Sequence, residues 1–269
     1  MKRLIIILLT LLFSYLRGTT QEAADLETLR QSIWYEGITL YDLEQAAWTA
    51  TGILLLSFNN DNLGGHLAYK EGVNFHTIFW KYVNQKEKIQ LTFDFEYPID
   101  DATCTVTDSI RNPTDHERRL LDIRDSTLSR IDRDTGFFNF FPNIHFNIGI
   151  LELSECYRIY AFSRTLATGH IPLGNDYLLV FSNNGEFISR EKLHSGIVAI
   201  PQAGERRGDD FYGTMHYHEK SEPPYITPTD ISTLLHYAER IDWEVHIVES
   251  AGYICTFNIR TRQLEIEKK

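Results

Sequence analysis

Two histidines, His216 and His218, stand two residues apart at the end of the stretch Phe211-Tyr212-Gly213-Thr214-Met215. On a strand, residues i and i+2 share a face, so both imidazoles would project together. Beyond a loop, Thr227 and Pro228 have the chemistry of a helix start, a side-chain cap followed by proline at the first helical position. Asp230 then falls in the first turn. Two neutral imidazoles and one carboxylate fill three of zinc's four tetrahedral positions and leave the fourth to water, the arrangement of catalytic rather than structural zinc. The competing explanation is that Asp230 merely complements the helix dipole and the histidines are surface polar groups. In a chain with 10 histidines the pair means little without the helix start.

The string His216-Tyr217-His218 followed by Thr227-Pro228-Thr229-Asp230 resembles the JAMM/MPN-type metalloprotease motif, His-x-His-Pro, six residues, Ser, two residues and Asp. Glu219 replaces the proline, the loop is one residue longer, and Thr227 stands for the serine. The order strand, helix, short strands over Phe211 to Glu267 is also similar to that family, and the resemblance covers roughly Ser154 to Lys269. It implies a cytidine-deaminase-like sheet with flanking helices and a zinc-dependent hydrolase of amide, peptide or isopeptide bonds. His216, His218 and Asp230 would hold the zinc, and the Thr227 hydroxyl would steady the oxyanion.

The family also uses an upstream glutamate as general base, taking a proton from metal-bound water and passing it to the leaving amine. Glu155 is the candidate because it opens the strand Tyr157 to Phe162; Glu152, Glu186 and Glu191 are rivals. Two further classes compete with a hydrolase: a binding module that keeps the fold without catalysis, and a structural domain whose zinc only ties strand to helix. An extra ligand closing the fourth position, Glu219 or His194, would favour the structural ion.

Other chemistry-bearing residues have plainer explanations. His194 follows a hairpin and reads as a surface turn group. Gly174-Asn175-Asp176 reads as a turn feeding a strand, with Asn and Asp present for their tolerance of positive φ. His236 and His246 read as structural. Phe137, Phe138, Phe140 and Phe141 read as core or sheet cover, or else as a partner surface.

These residues need elements to hold them. Leu26 to Ala50 has helical periodicity, Ile53 to Phe58 reads as a β-rich run, and Asn59 to Gly65 as a turn. Gln90 to Tyr97 alternates as a strand with Leu91, Phe93 and Phe95 on one face. His116 to Ile131 reads as an amphipathic helix with a solvated charged face. Strands are expected at Ile144 to Leu151, Tyr157 to Phe162, Tyr177 to Phe181 and Glu186 to Ser189, the last two joined by the hairpin turn Asn183-Asn184-Gly185. A helix from Thr227 to Arg240 and strands Trp243 to Val248, Tyr253 to Ile259 and Gln263 to Glu267 complete one antiparallel or mixed sheet. The expected class is α/β, more exactly α+β with a mixed sheet. Residues 1–20 read as a signal peptide, 21–140 as an α/β region of unknown role and 141–269 as the JAMM/MPN-like domain.

The signal reading rests on basic Lys2 and Arg3 ahead of the apolar run Leu4 to Leu16, too short for a bilayer span. Export implies a periplasmic or secreted protein with no membrane span after cleavage, acting on a peptide or protein. Cys104, Cys156 and Cys255 allow at most one internal bridge. A net charge of −11 argues against nucleic acid as partner.

Overall fold

Helix α1 (Lys2–Ser57) opens the chain and serves as the spine against which three sheets pack. The computed structural model describes the backbone of residues 2–58, 62–165, 170–203, 205–207 and 211–269; it describes side chains over the same stretches except 2–22, 165, 205–207 and 211–212. The signal reading therefore falls on side chains outside the described residues. Among the described residues no helix is long and apolar enough to cross a membrane.

The β-rich reading of Ile53 to Phe58 is corrected: residues 53–57 continue α1. Ala46, Ala50 and Leu54 recur every fourth residue and are all buried with Phe79 and Phe93, so the helical period wins over the local β propensity.

The first sheet is an antiparallel meander of β1 (Leu63–Glu71), β2 (Asn74–Val83), β3 (Lys86–Phe95) and β4 (Cys104–Arg111). Leu91, Phe93 and Phe95 of β3 are buried, as their alternation implies. Helix α2 (Asp115–Arg133) follows, started by a capping box between Thr114 and Glu117. Its charged face is not wholly solvated, because Glu117 is buried and takes two 2.6 Å hydrogen bonds from the Arg111 guanidinium.

The second sheet is also antiparallel, with β5 (Ile144–Glu152), β6 (Cys156–Thr165), β7 (His170–Ser182) and β8 (Phe187–Pro201) in order. Its β7–β8 turn carries Gly185 at φ 81°, the left-handed residue that Asn-Gly announces. The third sheet comprises β9 (Glu205–Arg207), β10 (Phe211–Tyr217), β11 (Val245–Glu249), β12 (Tyr253–Asn258) and β13 (Gln263–Lys268), in spatial order β13-β12-β11-β10-β9. Strands β10 and β11 pair in parallel, the connection between them passing through helix α3 (Pro228–His236); the other pairs are antiparallel. The C-terminal half thus holds two sheets rather than one: alternation reveals which face of a strand is buried, not which strand it pairs with. Mixed α+β class stands.

Each of the three apolar clusters draws on residues from both sides of position 140. Helix α1 crosses α3 closely enough that a Cβ on Gly37 would lie 2.7 Å from Ile231, and Gly149 of β5 gives way to Leu40 in the same manner, at 2.4 Å. Glu44 of α1 accepts from Arg164 of β6 and from Ser232 of α3, with Ser232 Oγ at 2.9 Å. These contacts fix α3, and with it Asp230, against the second sheet.

Candidate metal centre

Strand β10 delivers two imidazoles to one face. Thr214, His216 and His218 are buried while Tyr217 between the histidines is exposed, the period-2 alternation of a strand extended one residue past its end. The His218 amide donates to the Glu249 carbonyl at 2.9 Å, keeping the chain in line with β11 beyond the last paired residue. Directly across from Thr214 lies His246.

Helix α3 delivers the carboxylate. Thr227 is the N-cap and Asp230 the third helical residue, joined in a capping box. Asp230 Oδ2 accepts from the Thr227 amide at 2.9 Å and from its hydroxyl at 2.8 Å. The other oxygen, Oδ1, is buried and has no hydrogen-bond partner. A buried carboxylate oxygen without a donor costs free energy unless some other group takes it up.

A third imidazole comes from the second sheet. His194 lies on β8 and is buried, corrected from a surface turn residue. Its Nδ1 is 2.6 Å from Asp176 Oδ1, and the other oxygen of Asp176 accepts from the Thr229 hydroxyl. Asp176 is itself aimed by a bulge in β7, where the register slips on both sides of it. Gly174 at φ 90° and Asn175 at φ 49° make that bulge, and a Cβ on Gly174 would meet the Gly196 carbonyl oxygen at 2.4 Å. Gly174-Asn175-Asp176 is thus a strand irregularity that orients a buried acid, not a plain turn.

Together His194, His216, His218 and Asp230 place one ligand atom each within 4.8 Å of one another, close enough to hold a metal ion. Their hydrogen bonds dictate which nitrogens carry protons. His194 Nδ1 faces a carboxylate and His218 Nδ1 faces the Pro223 carbonyl at 2.7 Å; both partners only accept, so both Nδ1 atoms must donate. Neutral rings so arranged present bare Nε2 lone pairs, yet His194 Nε2 is 2.8 Å from His218 Nε2, which is 2.9 Å from His216 Nε2. Facing lone pairs at that distance repel unless a cation, a proton or a metal, lies among them.

The electrostatics agree. Burial opposes charge on His194, but the carboxylates of Asp176 and Asp230 outweigh it and raise its pKa to about 10. Burial drives His216 down to about 4 despite Asp230. Asp230 is held well below the carboxylate range: burial works against ionisation, and the three histidines and the Thr227 amide overcome it. His246, wholly enclosed, is pushed far below the histidine range by burial and by its imidazole neighbours, and so is neutral. It bridges His216 Nδ1 and Thr214 Oγ1, both at 2.8 Å. If His246 accepts from His216 and donates to Thr214, His216 Nε2 is left bare toward the cluster.

The donors suit zinc. Ligands about 2.0–2.1 Å from a tetrahedral zinc stand roughly 3.3 Å apart. The nitrogen pairs at 2.8 and 2.9 Å and the two Nε2–Oδ2 separations of 3.8 and 3.9 Å bracket that spacing. Each histidine has its second nitrogen fixed by a carboxylate, a carbonyl or another imidazole, as metal-bound histidines do.

Of the expected site residues, His216, His218 and Asp230 come together. Thr227 lies beside them, but its hydroxyl is engaged in the cap with Asp230 and Thr229 rather than offered to a substrate. Glu155 does not join them. It is exposed in the β5–β6 turn, next to Cys156, which pairs with Ser182; that is six residues (182 − 176) along β7 from Asp176, or about 20 Å. Glu152 pairs with His116, and Glu186 and Glu191 are exposed. Glu219 is exposed too. His236 faces Trp48, away from the cluster. Phe138 is core, Phe137 packs on it, and Phe140 and Phe141 are exposed. The three cysteines are free. Sequence reasoning named His194 only as an alternative to Glu219 for a fourth ligand and missed Asp176, because nothing in spacing links β7 and β8 to β10.

Comparison of the chain with protein-family models, curated proteins and solved structures finds no match.

Proposed function

We propose that His194, His216, His218 and Asp230 bind one zinc ion in a closed, four-ligand site, and that this ion ties the second sheet to the third sheet and to α3. The observation that carries this reading is the meeting of three Nε2 atoms whose rings are all anchored through Nδ1, two of them 3.8 and 3.9 Å from Oδ2 of Asp230, a buried carboxylate whose other oxygen has no partner. Nitrogen and carboxylate donors in a tetrahedral set favour zinc over the hard, oxygen-seeking cations. Four protein donors and side chains of His218 and Asp230 with 0% exposure are what a structural ion requires. The apolar N-terminal run supports export of the protein, periplasmic or secreted.

A second reading, an amide, peptide or isopeptide hydrolase acting on a peptide or protein, is favoured by one observation. The strand-helix-strand unit β10–α3–β11, with its parallel pairing, carries the histidine pair and the aspartate in the order that the JAMM/MPN resemblance implies. His194 is the only ligand from another sheet, and its side chain is 7% exposed. Its withdrawal would leave three ligands and one open position. Zinc in such a site supplies Lewis acidity and a nucleophile at neutral pH. Glu155 has no part in this reading.

Peptide hydrolysis by the zinc-loaded wild type and by His194→Ala separates the two. A structural ion predicts no turnover by either, with weaker zinc retention and a lower Tm in the variant. A hydrolase predicts turnover that Asp230→Ala abolishes.

A further inference from the structure

One side of α2 and the start of β8, where Arg190 stands four residues or about 13 Å along the strand from His194, border an open pocket of about 310 Å³ lined by Ser126, Ser129, Arg130, Arg133, Asp134 and Arg190. The first four recur at i, i+3, i+4 and i+7, a single stripe of the helix. The lining holds three guanidinium groups and one carboxylate, a local charge of +2 (3 − 1) on a chain whose net charge is −11.

Two of the guanidiniums are held by stacking. Arg130 lies over the Phe187 ring with its Cζ at 3.8 Å from the centroid, and Arg190 lies over Phe137 at 4.1 Å. Stacking leaves the in-plane N–H edges free to donate. Arg190 spends one of them on Asp134. Arg130 Nε is buried without a hydrogen-bond partner, and Arg133 forms no ion pair among the described residues. Arg130 and Arg133 in the last turn also complement the helix dipole. That explains neither Arg190, which arrives from β8, nor the orphaned buried donor, nor two serine hydroxyls on the same stripe.

We propose that this pocket binds a phosphoryl group, either as inorganic phosphate or as the monoester of a small molecule. A dianion balances the +2 lining, its oxygens match the planar forks of arginine, and the hydroxyls of Ser126 and Ser129 add short neutral donors. A carboxylate would satisfy only part of this donor set.

Calorimetric titration at low ionic strength, with inorganic phosphate and separately with glycerol phosphate, tests the assignment. Binding of both assigns the site to the bare anion, and binding of glycerol phosphate alone assigns it to the monoester. In either case Arg133→Glu, at an exposed position with no ion pair among the described residues, weakens binding by about tenfold or more. Arg130→Gln acts in the same direction. Wild-type protein that binds neither probe, or an Arg133→Glu variant that binds within a factor of three of wild type, would overturn the proposal.

Discussion

His194 Nε2 and His218 Nε2 approach to 2.8 Å although each ring has committed its Nδ1 proton to an oxygen that can only accept. The pair therefore shares a cation. In the metal-free protein that cation is a proton, which the carboxylates of Asp176 and Asp230 hold on His194 up to about pH 10. A metal ion entering the site has to displace it.

Zinc uptake should accordingly release a proton, and zinc affinity should fall by roughly tenfold for each unit that pH drops between 8 and 6. Competition against a chelator at several pH values measures this. A flat profile would show that His194 is not among the ligands.

Metal-free protein should lose stability in acid. His216 is held at about 4 against an ordinary 6.5, and burial shifts His246 in the same direction. The unfolded chain takes up these protons first, so the contribution is intact above about pH 6.5 and is lost as pH falls toward 4. For His216 alone it is on the order of 3 kcal/mol. The raised pKa of His194 works oppositely: its contribution is complete below 6.5 and is lost as pH rises through about 10, so it does not offset the loss in acid. Urea unfolding of chelated protein at pH 6.5 and 4.5 reports the difference, which should shrink in His216→Gln.

Asp176→Asn should weaken zinc binding by about 10- to 100-fold while leaving all four ligands in place, because it removes the negative charge beside His194 and leaves one acceptor oxygen where His194 and Thr229 had two. Gly174→Ala should act through the same residue. It forces a side chain into positive φ and against the Gly196 carbonyl, costing about 1–3 kcal/mol and misdirecting Asp176. Tm and zinc affinity should fall together in that variant, whereas a drop in Tm with unchanged affinity would separate the bulge from the site.

The parts of the site legible from sequence were those set by local rules. Strand alternation placed His216 and His218 on one face, and cap chemistry placed Thr227, Pro228 and Asp230 at a helix start. The Asn-Gly turn and the places of β5, β6, β11, β12 and β13 were legible for the same reason, whereas β7 begins at His170 and β8 runs on to Pro201, beyond the expected Tyr177 to Phe181 and Glu186 to Ser189, and β9 was not expected. Asp176 was not, and His194 was legible only as an alternative to Glu219 for a fourth ligand, because a bulge in β7 and the juxtaposition of two sheets depend on packing that no short spacing records. The strand reading of Ile53 to Phe58 failed where a four-residue repeat of small and apolar side chains outweighed local propensity. Glu155 failed because a motif transferred by position in sequence ignores which end of a sheet a strand begins from.

Zinc should follow a single mutation. Asp230→Ala removes the one carboxylate among the four ligands and leaves Asp176, which reaches only His194 of the three imidazoles, as the nearby counter-charge, so zinc affinity should fall by about two orders of magnitude or more. Asp230→Asn, which keeps the cap, should lose zinc without losing the helix, as circular dichroism would show.

Metal analysis of the purified protein is the most direct test of the centre. About one zinc per chain is predicted for the wild type and none for the His216→Ala, His218→Ala double variant. Wild-type protein that takes up no zinc at neutral pH, when supplied with the ion in excess, would contradict it.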